Sequence, residues 1–201
     1  MPLVATRGGA SAFGLGWSAG SSVEVFPMAL MMPSSINYTG TSASIGTNGT
    51  VDFSACTSLS LNGVFNKYYD QYILVMSIRT ATDYDSMYLK MRAGGVTSTQ
   101  NSNYTTQEFQ ANGGTLGSGS GSAATFGFPD DANKSAIFCH ISNPYGAEYT
   151  VYNSQNSSAA LDSFLRDYAV VHKVASSYDG FELTTGSYSF TGTLSVYGLG
   201  G

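Results

Sequence analysis

The chain has 201 residues and a formal net charge of −5, and charged residues make up only 10% of it. Glycine (24 residues) and tyrosine (14 residues) are abundant, which favours strands and tight turns because helix surfaces normally carry Glu, Lys, Arg and Gln. Eight scattered basic residues exclude the clustered Lys/Arg footprint that a nucleic-acid-binding protein needs.

The first 22 residues form a segment of their own, in which five glycines leave no helical or strand periodicity. Apolar side chains lie between these glycines, whereas a disordered tail is depleted in apolar residues. We predict an assembly arm that becomes ordered on the surface of another protein. Its proposed anchors are Leu3, Val4, Arg7, Phe13, Leu15 and Trp17.

The start of the chain lacks the pattern of a signal peptide, since no apolar run follows Arg7. Residues 23–32 are apolar, but the stretch is short and is broken by Pro27 and Pro33, so it cannot span a bilayer. We therefore expect a protein that is made in a cytoplasm and has no membrane partner.

Residues 23–110 contain the first predicted strands. Turn-formers divide residues 23–63 into short extended pieces, and the Asn48-Gly49 pair suits a hairpin turn. Residues 70–80 are almost continuously apolar, which predicts a strand covered on both faces. In residues 87–92 Met87, Leu89 and Met91 alternate with polar or amphipathic neighbours, and a further strand is predicted over residues 104–110.

The second half begins with a low-complexity run at residues 112–122, NGGTLGSGSGS, which predicts a flexible loop. Strands follow at residues 134–142 and 148–152, joined by a turn at Asn143-Pro144. Residues 160–175 fit both a helical stripe and a strand, and we expect about one helical turn followed by a strand. Residues 188–197 alternate apolar and polar side chains over ten positions, which is the clearest strand pattern in the chain.

These patterns predict an all-β fold: a jelly-roll-like antiparallel β-sandwich of eight or nine strands over residues 23–201, with residues 1–22 as an extended N-terminal arm.

Candidate chemical groups are few. Gly16-Trp17-Ser18-Ala19-Gly20 matches the G-x-S-x-G nucleophile elbow, but no strand precedes it, so we interpret it as a chance match in a Gly/Ser-rich tract. His140 and His172 lack the spacing of a metal site, and Asp130-Asp131 suits an acidic turn better than a calcium site. We predict no enzyme activity, no catalytic residue, no metal site and no cofactor.

The two cysteines, Cys56 and Cys139, are too few for a disulfide framework, and we expect two small buried side chains, with a disulfide as the alternative. The many tyrosines could stack on sugars. More often, tyrosines pack on half-buried sheet faces.

Two stretches resemble a widespread family of tailed-bacteriophage virion proteins. Residues 65–104, beginning FNKYYDQYILVMSIRTATDYDSMYLKMRAGG, resemble the family pattern of a tyrosine, a strand, Arg-Thr, a short turn, an amphipathic strand and Asn-x-Tyr. Residues 168–199 resemble its closing pattern, which ends in Val-Tyr-Gly-Leu. The N-terminal ATRGGASAFGLGW is similar to the start of many phage appendage and decoration proteins.

The resemblance implies a structural component of the virion, assembled in the cytoplasm of the host bacterium, and no catalytic residue carries over from the family. We expect a capsid decoration (cement or head-fibre) protein, a homotrimer whose partners are the major capsid protein or tail proteins. The alternatives are a short tail fibre or tail appendage and a carbohydrate-binding receptor module. A depolymerase lacks a credible acid/base pair.

Overall fold

The computed structural model describes residues 28–98, 100–112, 115–130, 134–158 and 164–200. The predicted arm with its six anchors and the Gly16–Gly20 motif lie outside these residues. The described chain forms sixteen strands and one short 3-10 helix at Asn101–Asn103. The strands are β1 (Met28–Leu30), β2 (Ser35–Thr39), β3 (Ser42–Ile45), β4 (Val51–Cys56), β5 (Ser58–Asn62), β6 (Gln71–Thr80), β7 (Met87–Ala93), β8 (Val96–Thr97), β9 (Tyr104–Asn112), β10 (Thr115–Gly121), β11 (Thr125–Gly127), β12 (Ser135–Ser142), β13 (Thr150–Ser158), β14 (Phe164–His172), β15 (Gly180–Thr185) and β16 (Phe190–Leu199).

The strands form two antiparallel sheets. The larger sheet has the order β10-β9-β14-β13-β12-β6-β16-β4-β3, with β1 paired to β16. The smaller sheet has the order β11-β7-β15-β5-β2, with β8 paired to β7. The prediction of an all-β, jelly-roll-like antiparallel sandwich is therefore confirmed for the described residues.

The core lies between the two sheets and is built from alternating residues. In β16 the side chains of Phe190, Leu194 and Val196 are buried, and Thr193 and Ser195 face outward. In β7, Met87, Leu89 and Met91 are fully buried, as the sequence predicted. The period of two places every second side chain on the core face, which is why these two strands could be recognised from sequence.

Buried tyrosines join the two sheets by hydrogen bonds. The hydroxyl of Tyr152 in β13 donates to the carbonyl of Leu89 in β7 at 2.9 Å. The hydroxyl of Tyr104 in β9 accepts a bond from the backbone N–H of Met91 at 3.0 Å. Each tyrosine ring adds apolar area to the core. Because a buried hydroxyl needs a hydrogen-bond partner, each tyrosine also fixes the position of one sheet relative to the other.

The hairpin predicted at Asn48-Gly49 is present between β3 and β4. Gly49 has a φ of 78°, which favours glycine. Its N–H donates to the carbonyl of Gly46 at 2.9 Å, and the N–H of Gly46 donates to the carbonyl of Thr50 at 2.8 Å.

Two local predictions were wrong. The run predicted as a flexible loop forms β10, which pairs with β9 from Thr115↔Asn112 to Gly121↔Thr106. Backbone groups make this ladder, so it forms although alternate positions carry only glycine. The helical turn predicted near residues 160–168 is absent from its described part, because Phe164–His172 forms the strand β14 between β13 and β9. The count of eight or nine strands was also too low, because β10 was predicted as a loop and no strand was predicted at β15.

The prediction that both faces of residues 70–80 are covered was wrong as well. Only one face of β6 lies in the core, and on the other face Val75 is 45% exposed. The outer face of this central strand is nevertheless apolar at Ile73 and Val75. The apolar run therefore reflects a surface that no other described part of this chain covers.

No helix in the described residues is long and apolar enough to cross a membrane.

Candidate functional site

The outer face of the larger sheet is broad and poor in charge. The register aligns side chains from seven strands in one row across it. Within the described strands of this face only Asp52, Arg79 and Asp167 carry a charge. The row consists of Ser118, Phe109, Asp167, Gln155, Phe138, Val75 and Ser195.

An apolar patch lies at the centre of this face, on β6 and β12. We define the central patch as Ile73, Val75, Ala136 and Phe138. Phe138 and Val75 are directly opposite each other on neighbouring strands, and each is 45% exposed. An exposed phenylalanine beside an exposed valine, with uncharged neighbours, is the kind of surface that marks an interaction site.

A groove crosses the same face on β9, β14 and β13, to one side of the central patch. Its volume is about 290 Å³. Ala169 forms a low point between longer side chains, because a methyl group there is flanked by Gln107 on β9 and Asn153 on β13. The groove is lined by Gln107, Glu108, Phe109, Asn153, Ser154, Gln155, Asp167, Tyr168 and Ala169.

Asp167 is the charged side chain on the outer face at this groove. It lies between Phe109 on β9 and Gln155 on β13 in the register. Its Oδ1 atom is buried and has no hydrogen-bond partner among the described residues. A buried carboxylate oxygen without a donor is costly, and a donor that reached it after the side chain turned toward the groove would relieve that cost.

A serine and a histidine meet at the other side of the sheet. Ser98 Oγ lies 3.0 Å from Nε2 of His172, which is the separation expected of a nucleophile and its base. The imidazole is fully buried between the rings of Tyr104 and Tyr178, at centroid distances of 4.4 and 5.1 Å. Its Nδ1 has no partner among the described groups that would orient it as a base. We interpret the pair as a structural contact.

The pKa of His172 is lowered to about 4, because burial disfavours the charged imidazolium. The other histidine, His140, lies on the outer face of β12 with Nε2 3.1 Å from Oε1 of Gln71. Both are therefore strand residues whose Nε2 atom lies within hydrogen-bond distance of a neighbouring side chain.

A charged cluster lies on the inner face of the larger sheet, beside the end of β11 in the smaller sheet. Arg166 Nη1 donates to Oε1 of Glu108 at 3.0 Å, and its guanidinium lies 3.8 Å from the centroid of the Phe128 ring. Tyr168 Oη lies 3.5 Å from the same carboxylate oxygen, and burial raises the pKa of this phenol to about 12. The ion pair and the stacked ring join β9 and β14 of the larger sheet to the segment that follows β11 of the smaller sheet.

The two cysteines are both buried and unpaired. Burial raises the pKa of each thiol, so neither is an activated thiolate. This confirms the prediction of two small buried side chains.

Of the predicted acidic turn, Asp130 is described and Asp131 lies outside the described residues. Asp130 is buried, its N–H donates to Oγ of Ser135, and its carbonyl accepts from the N–H of Thr80. Within the described ranges no three His, Cys, Asp or Glu side chains are grouped as metal ligands would be.

The groove could not have been found from sequence. Phe109, Asp167 and Gln155 belong to three strands that are far apart in the chain, and each has an unremarkable local context. The apolar run of β6 was a sequence signal for the central patch only, and it was interpreted as burial of both faces.

No protein-family model, no curated protein and no solved structure matches this chain.

Proposed function

We propose that this chain is a non-enzymatic structural component of a tailed-bacteriophage virion, with capsid decoration, as a cement or head-fibre protein, as its first role. The observation that carries the proposal is the central patch. Val75 and Phe138 expose apolar side chains at the middle of a large sheet, where a freely diffusing protein would normally place polar ones. A subunit packed against neighbours covers such a surface.

The occupant we propose for the central patch is the same patch on other copies of this chain. Every copy carries a net charge of −5, so copies repel each other except where their surfaces are uncharged. Around a threefold axis, the patch of each copy meets the patches of the other two, which gives the homotrimer proposed from the sequence.

The arm supplies the second contact in this proposal. Residues 1–22 precede β1, whose Met28 pairs with Leu199 at the end of β16. The first described strand therefore lies beside the C-terminal end of β16. Apolar anchors such as Phe13 and Trp17 would bind the major capsid protein, and the sandwich would cover the shell.

A short tail fibre or tail appendage is the alternative location, and the copy number in purified particles distinguishes the two. Quantitative mass spectrometry of particles should give a copy number that scales with the capsid subunits. A small copy number that matches the symmetry of the tail would indicate that the protein belongs to the tail. Absence from purified particles would overturn the virion proposal.

A further inference from the structure

We propose that the groove on β9, β14 and β13 is a binding site for an uncharged saccharide. This inference goes beyond the structural role in the virion and does not depend on it, because the groove residues Phe109 and Asp167 are not part of the central patch. Along the row, Phe109 is three strands from Phe138, which corresponds to about 14 Å at the usual strand spacing.

The first argument is the unpartnered carboxylate oxygen. Oδ1 of Asp167 is buried and accepts no hydrogen bond from any described residue, although it belongs to a side chain that lines the groove. A hydroxyl group donates to an ionised carboxylate in a short, strong bond. Because Oδ1 itself is enclosed, a ligand hydroxyl reaches it only when the Asp167 side chain turns toward the groove, and the bond then made would remove a penalty that the unliganded fold bears.

The second argument is the combination of side chains around that oxygen. Phe109 is 46% exposed and neighbours Asp167 in the register. The side-chain amides of Gln107, Asn153 and Gln155 surround the groove, and each amide both donates and accepts hydrogen bonds. A sugar ring has an apolar C–H face that packs on an aromatic ring and hydroxyls that pair with amides, so it matches both kinds of group.

The third argument is charge, which selects among saccharides. Asp167 is the acidic side chain on the outer face at the groove, and the chain as a whole has a net charge of −5. Sialic acids, uronic acids and sugar phosphates would be repelled. The volume of about 290 Å³ lies near the lower limit of small-molecule pockets, roughly 300–1,000 Å³. The site therefore suits one or two sugar units.

The test uses the full chain with four probes: maltose, lactose, the disaccharide of N-acetylglucosamine, and 3′-sialyllactose as the anionic comparison. Saturation-transfer NMR and titration calorimetry would measure binding. We expect at least one neutral disaccharide to bind with a Kd of about 1 mM and sialyllactose to bind at least tenfold more weakly. Asp167→Asn and Phe109→Ala should each weaken the neutral sugar at least tenfold.

The chain offers matched controls on the same face. Phe138 is as exposed as Phe109 but lies outside the groove, and Asp52 is an exposed carboxylate on β4. Phe138→Ala and Asp52→Asn should change the affinity less than twofold. Binding of none of the neutral probes, equal binding of sialyllactose, or equal losses in the groove and control variants would overturn the saccharide site.

The same variants separate this inference from the proposed virion role. Phe138→Ala should alter the oligomer and leave sugar binding in place, whereas Phe109→Ala should do the opposite. Each proposal can therefore fail while the other stands.

Discussion

Ser98 Oγ and His172 Nε2 lie 3.0 Å apart, and the bond joins the segment that follows β8 to the end of β14. Asn103 Nδ2 donates to the same Oγ at 3.3 Å. The ring of His172 lies between Tyr104 and Tyr178, so a neutral imidazole completes a junction of polar and aromatic groups inside the sandwich.

This junction predicts acid sensitivity. The pKa of His172 is about 4 in the folded state against an ordinary 6.5. A lowered pKa means that the fold prefers the neutral ring. The corresponding stability is present above pH 6.5 and is lost as the pH falls toward 4. The loss should be about 3 kcal/mol in the free energy of unfolding, measured by urea denaturation at several pH values.

The matched variants for this prediction are His172→Phe and His140→Gln. Phenylalanine retains a ring between Tyr104 and Tyr178 but does not titrate, so His172→Phe should flatten the stability profile between pH 6.5 and 4. His140→Gln should retain the acid-side slope. An unchanged slope in His172→Phe would contradict the assignment.

Neighbouring positions on β16 separate the core face from the outer face. Leu194 is buried and Thr193 faces outward opposite Asp52, so asparagine is the suitable test residue because an aspartate at position 193 would meet a like charge. Leu194→Asn should cost about 2–5 kcal/mol through the lost side chain and a buried amide. Thr193→Asn should cost little. Thermal unfolding checks both, and equal tolerance would refute the burial pattern of β16.

The central patch predicts self-association. Phe138→Asp places a charge at its middle and should shift the mass seen by light scattering from oligomer to monomer, because burying an unpaired carboxylate in an interface is unfavourable. Ser118→Asp, at an exposed position of the same face four strands from Phe138, is the control and should leave the mass unchanged. A wild-type protein that is monomeric at micromolar concentration would remove the basis for this prediction.

The arm predicts a separation of folding from incorporation. Deletion of residues 1–22 should leave the circular dichroism spectrum β-rich and the melting midpoint close to that of the full chain, because the described strands begin at Met28. The truncated protein should fail to join particles in a reconstitution assay. Normal incorporation would show that the anchors, including Phe13 and Trp17, are dispensable.

The groove predicts a trade-off between ligand binding and stability. Asp167→Ala removes a buried carboxylate oxygen that has no described partner, and it should raise the free energy of unfolding by about 1 kcal/mol. Asp52→Ala, at an exposed position of the same face, should have no comparable effect. Destabilisation by Asp167→Ala would indicate that the carboxylate already has a partner in solution.

The strands with strict alternation were predictable because the information is local. In β16 and β7 the alternation of apolar and polar residues indicates which side chains face the core, and this does not depend on which strand is the neighbour. For β10 the local signal was misleading. Its Gly/Ser composition suits a loop. The strand forms because the N–H and C=O groups of β10 pair with those along one edge of β9.

The amino-acid sequence by itself determined the all-β class, the inward faces of β7 and β16 and the poverty of surface charge, since each depends on composition or on neighbours along the chain. Only the tertiary structure decided that Phe109, Asp167, Gln155 and Phe138 share one row. Their alignment depends on the pairing of β9, β14, β13 and β12, whose register is set by core packing across the whole sandwich. A short stretch of sequence does not contain the contacts between distant strands that set this register.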